Sequence, residues 1–207
     1  SITDTGRTGS PDPATSLGYG YPAKIADVLA NKYTDLGISV INRGISGNRI
    51  VDIYARIKWD FINLKPDYAS IFVGVNDAWH EIDWQNGVED EKFEKIYGMM
   101  IEEVQAACPG IKLMIIAPFV LEGYNTCNTE EIPDRLTQFR EGVLEKAAVA
   151  KKMAEKYDLP LIELQPAFDE ASKKAPTTYW AGDGVHPTAH GHELIKRLWL
   201  ETFKTIK

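Results

Sequence analysis

The sequence predicts an α/β fold: a three-layer α/β/α sandwich around a five-stranded parallel sheet, in one domain over residues 1–207. Three observations predict it. Strand-like and helix-like segments alternate strictly, the pattern of parallel strands joined by right-handed crossovers. No internal repeat, low-complexity tract or Pro/Ser linker divides the chain. The unusual glycine- and asparagine-containing segments fall where strands end, and such sheets bind ligands outside the carboxyl ends of their strands.

The elements follow in order. Tyr21 to Tyr33 places Ile25, Val28, Leu29 and Tyr33 at helical spacing. Ile38-Ser39-Val40-Ile41 is a β-branched run, expected as a strand, that ends in Asn42-Arg43-Gly44. Ile50 to Leu64 reads as helix. Tyr68 to Val73 reads as a strand running into the turn Gly74-Val75-Asn76-Asp77. A helix from Asp90 to Ala107 stops at Pro109-Gly110. Ile111 to Ala117 is the most apolar strand, closed by Pro118. A long helix spans Arg135 to Tyr157, and Leu159 to Leu164 is a further strand. The last helix is expected just after His186-Pro187, since proline suits a first helical turn. A strand before Ser1 is expected to complete the five.

Composition narrows the function. Lys and Arg number 23 against 30 Asp and Glu, a net charge of −7, which argues against nucleic acid or an anionic membrane as partner. Hydrophobic residues make up 44%, enough for one well-filled core. No apolar run approaches the roughly 20 residues of a membrane span. The two cysteines, Cys108 and Cys127, fit neither a disulfide framework nor a zinc set. With no signal peptide visible, a cytoplasmic location is expected.

Ester hydrolysis by serine needs a hydroxyl, a base near neutral pKa, an orienting group and donors for the oxyanion. Ser1 offers the hydroxyl. His186 offers the base, and Asp183, three residues earlier across a glycine-containing turn, can fold back onto its Nδ1. Gly44 and Asn76 offer oxyanion donors: a glycine lets a backbone N–H approach closely, and an asparagine amide is a neutral donor. Either segment taken alone also reads as an ordinary turn.

Together, Ser1-Ile2-Thr3-Asp4, Gly44 in Asn-Arg-Gly-Ile-Ser-Gly-Asn, Gly74-Val75-Asn76-Asp77 and Asp183-Gly184-Val185-His186 resemble the four blocks of the SGNH (GDSL-type) hydrolases. The resemblance covers the whole chain and implies a flavodoxin-like sandwich and an esterase without cofactor or metal. It implies Ser1 as nucleophile, His186 as base and Asp183 as its partner. The oxyanion hole it implies comprises the Ser1 and Gly44 backbone N–H groups and the Asn76 side chain. The family motif is Gly-Asp-Ser, so a strand ending in Gly-Asp is expected upstream.

Ser-Ile-Thr-Asp-x-Gly-Arg and the closing Val-His-Pro-x-x-x-Gly-His look most like bacterial acetylxylan esterases. That likeness implies a small-molecule or oligosaccharide ester as substrate, acetyl as acyl group and a homo-oligomer as assembly. Trp79, Trp84, Tyr124, Tyr179 and Trp180 lie in or beside predicted loops, where aromatic faces can stack on sugars or pack at a rim. Trp79, Trp180 and Arg43, beside Gly44, are taken as substrate-binding.

Other readings compete. An N-terminal-serine amidohydrolase would use the Ser1 amine as base, but those enzymes stack antiparallel sheets. His186, His190 and His192 beside Asp183 suggest a metal site, yet Pro187 places His186 outside the helix and His190 and His192 point apart. A lysophospholipase, a thioesterase and a non-catalytic sugar-binding protein use the same fold.

Overall fold

The computed structural model describes residues 1–8 and 16–206. In chain order these form α1 (Tyr21–Lys32), α2 (Ile50–Ala55), α3 (Ile57–Asp60), β1 (Tyr68–Phe72), α4 (Val75–Trp84) and α5 (Asp90–Ala107). Then come β2 (Lys112–Ala117), α6 (Arg135–Lys156), β3 (Leu161–Glu163), α7 (Leu164–Ser172), α8 (Thr177–Trp180) and α9 (Ala189–Ile206). The strands pair in parallel in the order β1-β2-β3, with Ile71 opposite Ile115 and Ile116 opposite Ile162.

β2 is the centre of the sheet and is apolar on both faces, as a parallel strand covered by helices must be. Met114 and Ile116 join a cluster with Ile25 and Leu29 of α1, Phe168 of α7 and Ile195, Trp199 and Phe203 of α9. Leu113 and Ile115 face a second cluster with Phe93, Tyr97 and Met100 of α5 and Ala150 and Met153 of α6. Burying each such large side chain contributes roughly 1.5–3 kcal/mol, and β2 serves both layers at once. The three-layer α/β/α arrangement expected from the sequence is present.

The sheet is smaller than expected. Among the described residues it has three strands, and Ile38–Ile41, read as a strand from its β-branched run, joins no ladder. Beside it lies a cleft of about 610 Å³, lined by Ile38, Val40, Ala69 and Ile71 among others. With that cleft beside it, the backbone of 38–41 has no strand to bond with among the described residues, and β-branching alone does not make a ladder.

Other differences have local causes. The helix expected over Ile50 to Leu64 is broken into α2, α3 and a 3₁₀ turn at Ile62–Leu64. The first break is at Arg56, whose guanidinium is drawn to Asn48 Oδ1, the Arg43 carbonyl and Asp60. The turn at Gly74 to Asp77 continues into α4. Asn and Asp favour turns and caps because their side chains compete for backbone groups, and here they occupy the first turn of a helix. α9 starts at Ala189, and Thr188 accepts the His190 and Gly191 N–H groups at 3.2 and 3.4 Å, so Thr188 rather than Pro187 opens it.

Candidate active site

The loop after Ser1 is folded on itself and clamped to the segment after Ile41. The Ser1 carbonyl accepts the Thr5 N–H at 2.8 Å. Buried Asn42 donates its amide to the Thr3 carbonyl at 2.6 Å and the Leu17 carbonyl at 2.9 Å. Arg7 Nε donates to the Gly44 carbonyl at 2.9 Å, and Asp4 accepts the Ser46 N–H at 2.8 Å. Gly44 lies so close that an added Cβ would sit 2.7 Å from the Asp4 nitrogen and 2.9 Å from Thr3 Cβ. The glycine is required by this contact as well as by any role toward an oxyanion.

The Asp183 turn is clamped in the same way to the loop that follows β2. Leu121 donates its N–H to the Gly184 carbonyl at 2.8 Å, and Asn125 donates its N–H to the Asp183 carbonyl at 3.1 Å. Gly184 has φ +91°, and a Cβ there would lie 2.3 Å from Thr126 Oγ1, so both conformation and space demand glycine. This turn carries Asp183 back onto His186.

The result is a continuous chain of hydrogen bonds. Ser1 Oγ lies 2.6 Å from His186 Nε2, and His186 Nδ1 lies 2.5 Å from Asp183 Oδ2. Asp183 Oδ1 accepts the backbone N–H groups of Val185 at 2.9 Å and His186 at 2.7 Å. Burial pushes the Asp183 carboxyl up, but the bonds from the His186 ring and from these two N–H groups outweigh it and hold the pKa at about 2. Asp183 is thus a fixed anion. Its side chain is 6% exposed against 38% for His186, so the imidazole is within reach of a substrate and the carboxylate is not.

The two oxyanion candidates differ. Asn76, in the first turn of α4, donates Nδ2 to the Asn48 carbonyl at 3.1 Å, which engages one of its two amide hydrogens. The Gly44 N–H is engaged by Asn42 Oδ1 at 2.9 Å. Ser1, Gly44, Asn76 and Arg43 all line the same cleft.

Among the residues expected to bind substrate, Trp79 sits beside His186, ring centroids 5.9 Å apart, with its indole N–H on Asp83 Oδ2 at 2.6 Å. Arg43 pairs with Asp60 at 2.9 Å, and its Nε is buried without a partner among the described residues. Trp180 meets Tyr179 edge-on, and its indole N–H is likewise buried without a partner. His190 stacks on Tyr179 at 4.1 Å. His192 is buried and accepts the Tyr21 N–H on Nδ1, so the two are held in separate environments.

Sequence reading missed three features. Asn125 donates Nδ2 to Asp183 Oδ2 at 3.0 Å. Arg135 is buried at the start of α6, a position where the helix dipole disfavours a cation; that misplacement was a readable signal. Asp77, beside Asn76, turns inward: Oδ1 accepts the Ile50 N–H at 2.9 Å and Oδ2 has no partner among the described residues. Burial pushes its pKa up to about 7, against the opposing pull of the Ile50 N–H, Lys146 and Arg49.

The model of the GDSL-like lipase/acylhydrolase family matches residues 1–194. An acetylxylan esterase of Geobacillus stearothermophilus is 35% identical over 206 residues, covering 97% of this chain and 89% of that protein. A crystal structure of Axe2, an acetylxylan esterase from that organism, aligns with a TM-score of 0.83 at 32% identity, over 97% of this chain and 89% of the other. LAE5, an alpha/beta hydrolase enzyme from the metagenome of Lake Arreo, aligns with a TM-score of 0.85 at 25% identity, over 100% and 92%. The chain belongs to the GDSL-like lipase/acylhydrolase family and is a carboxylic ester hydrolase.

Proposed function

We propose that this esterase hydrolyses short acyl esters, acetyl above all, and deacetylates xylo-oligosaccharides or related sugars. The observation that carries the reading is the unbroken hydrogen-bond chain from Ser1 Oγ through His186 to Asp183. With Nδ1–H donated to the Asp183 carboxylate, Nε2 presents its lone pair to the Ser1 hydroxyl. Ser1 Oγ attacks the ester carbonyl carbon and its proton passes to Nε2. The oxygen that becomes anionic is received by the free amide hydrogen of Asn76 and by the backbone N–H groups of Ser1 and Gly44. The Gly44 donor must be shared with, or released from, Asn42. Collapse breaks the bond to the sugar oxygen, which takes the proton from Nε2 and leaves as the sugar hydroxyl. Water then attacks the acyl-serine by the same route and acetate leaves.

The sugar substrate rests on the likeness to the Geobacillus acetylxylan esterase. Two solved variants of Axe2, described as catalytic mutants, replace a serine and a histidine by alanine. On this reading Trp79, whose ring centroid is 5.9 Å from that of His186, stacks on a sugar ring, Arg43, next to Gly44 in the chain, binds a hydroxyl, and Trp180 is a further sugar contact.

The test is a panel of acetylated xylo-oligosaccharides, 4-nitrophenyl acetate and 4-nitrophenyl octanoate, assayed on the full-length protein and on Ser1→Ala. Acetate release from the sugars, lost in the variant, is the expected result. Preference for octanoyl would replace this reading with a lysophospholipase or thioesterase. Sugar binding without hydrolysis would make the chain a carbohydrate-binding protein.

A further inference from the structure

We infer that Asn125 and Arg135 are positioning residues that hold the Asp183 carboxylate in register with His186. The inference rests on the esterase reading above. An ionised carboxylate has about four acceptor sites, and Asp183 has four donors: the N–H groups of Val185 and His186 on Oδ1, and His186 Nδ1 and Asn125 Nδ2 on Oδ2. Three of the four come from the same turn as Asp183. Among the described residues Asn125 is the one donor from elsewhere, and it grips twice, since its backbone N–H also bonds the Asp183 carbonyl.

Asn125 is itself held. Arg135 Nε donates to its carbonyl at 2.8 Å, while Arg135 Nη1 reaches Asp83 Oδ1 at 2.5 Å. Asp83 Oδ2 takes the Trp79 indole N–H, and the Trp79 ring leans on His186. The circuit His186–Asp183–Asn125–Arg135–Asp83–Trp79 therefore closes on the imidazole it serves. A guanidinium suits the bridge because its planar fork holds two acceptors in one geometry, which a flexible ammonium does not. The Asp83 carboxylate draws its pKa below the usual range through the bonds from Arg135 and Trp79, against the opposing effect of burial, so the bridge is a charged one. The Asp83 anion and the Asn125 carbonyl offset the unfavourable cation at the start of α6.

The discriminating variant is Asn125→Ala, which removes one neutral donor and keeps the backbone groups used by Arg135 and Asp183. Using 4-nitrophenyl acetate and full-length protein, kcat should fall about tenfold with KM changed less than about twofold, the loss expected for a charge-assisted hydrogen bond. The acid limb of the kcat/KM profile should move to higher pH, because a carboxylate with fewer donors holds the imidazolium more strongly. Arg135→Gln should act in the same direction. If Arg135→Gln does not fold, Asn125→Ala carries the test. Asn125→Ala with wild-type kcat and acid limb, whatever its melting temperature, overturns the inference while inactive Ser1→Ala leaves the esterase reading standing. Full activity in Ser1→Ala overturns both.

Discussion

Replacing Asp77 by Asn should change how stability depends on pH, and the size follows from the burial of this one carboxyl. Asp77 is raised by burial from 3.8 to about 7 in the folded protein. Between those values the unfolded chain has lost this proton and the folded chain keeps it, so stability falls as pH rises. Integrated from pH 5 to pH 8, the fall is about 3 kcal/mol. His192 runs the other way. Burial, helped by the charge of Lys24, lowers it from 6.5 to about 4, so the unfolded chain binds the extra proton and stability rises with pH, by about 2 kcal/mol over the same range. In the wild type the His192 rise offsets part of the Asp77 fall and leaves a net loss of about 1 kcal/mol. Asn at position 77 keeps an oxygen for the Ile50 N–H and has no proton to lose. Urea unfolding of both proteins at pH 5 and pH 8 therefore should show the variant gaining about 3 kcal/mol on the wild type between the two. Comparing differences removes every other titrating group. An Asp77→Asn minus wild-type difference that is the same at both pH values would refute the reasoning.

Three further outcomes are expected. His192→Gln, which keeps an acceptor for the Tyr21 N–H, should shift the same difference by about 2 kcal/mol in the opposite sense; equal values at the two pH values would count against a buried neutral His192. Asn76→Ala should lower kcat by roughly 10²–10³ with KM little changed, as loss of an oxyanion donor does, whereas a raised KM with intact kcat would make Asn76 a ground-state contact. Gly44→Ala should cost about 1–3 kcal/mol of stability and lower kcat as well, because the new Cβ must push aside Thr3 and Asp4, next to Ser1. Wild-type melting temperature and kcat in that variant would show that the contact yields freely.

What could be read in the sequence, and what could not, follows from how local each signal is. The run Lys112–Ala117 announces a central strand because burial on both faces leaves no polar alternation. The helices Asp90–Ala107 and Arg135–Lys156 announce themselves by period and by Pro109-Gly110. Ile38–Ile41 shows the limit of such reading. Its residues favour extended backbone, but a strand exists only with a neighbour to bond to, and side-chain preference does not specify the neighbour. α4 was hidden for the opposite reason: Gly-Val-Asn-Asp has the composition of a turn, and nothing local says that the turn goes on winding.

The site divides along the same line. That Ser1, His186 and Asp183 come together in one hydrogen-bonded chain could be expected, because ester hydrolysis by serine calls for those residue types and Asp183 and His186 lie three residues apart in one turn. Asn125 and Asp83 give no such sign, because a positioning residue needs only a donor or acceptor at the right place, which many residue types and many loops supply; Arg135 leaves one trace, a cation at a helix start. The two inward carboxylates make the contrast sharper. Asp77 and Asp183 each stand in a short segment beside a residue of the site, and both are buried. Asp183 meets four donors among the described residues and is held ionised at about 2, whereas Asp77 Oδ1 accepts the Ile50 N–H and Oδ2 has no partner among the described residues, so burial outweighs the nearby N–H groups and cations and lifts it to about 7. Sequence spacing gives the same residue type in both places. The donors gathered around each decide that one is a permanent anion beside His186 and the other an acid that keeps its proton up to about pH 7 in the folded core.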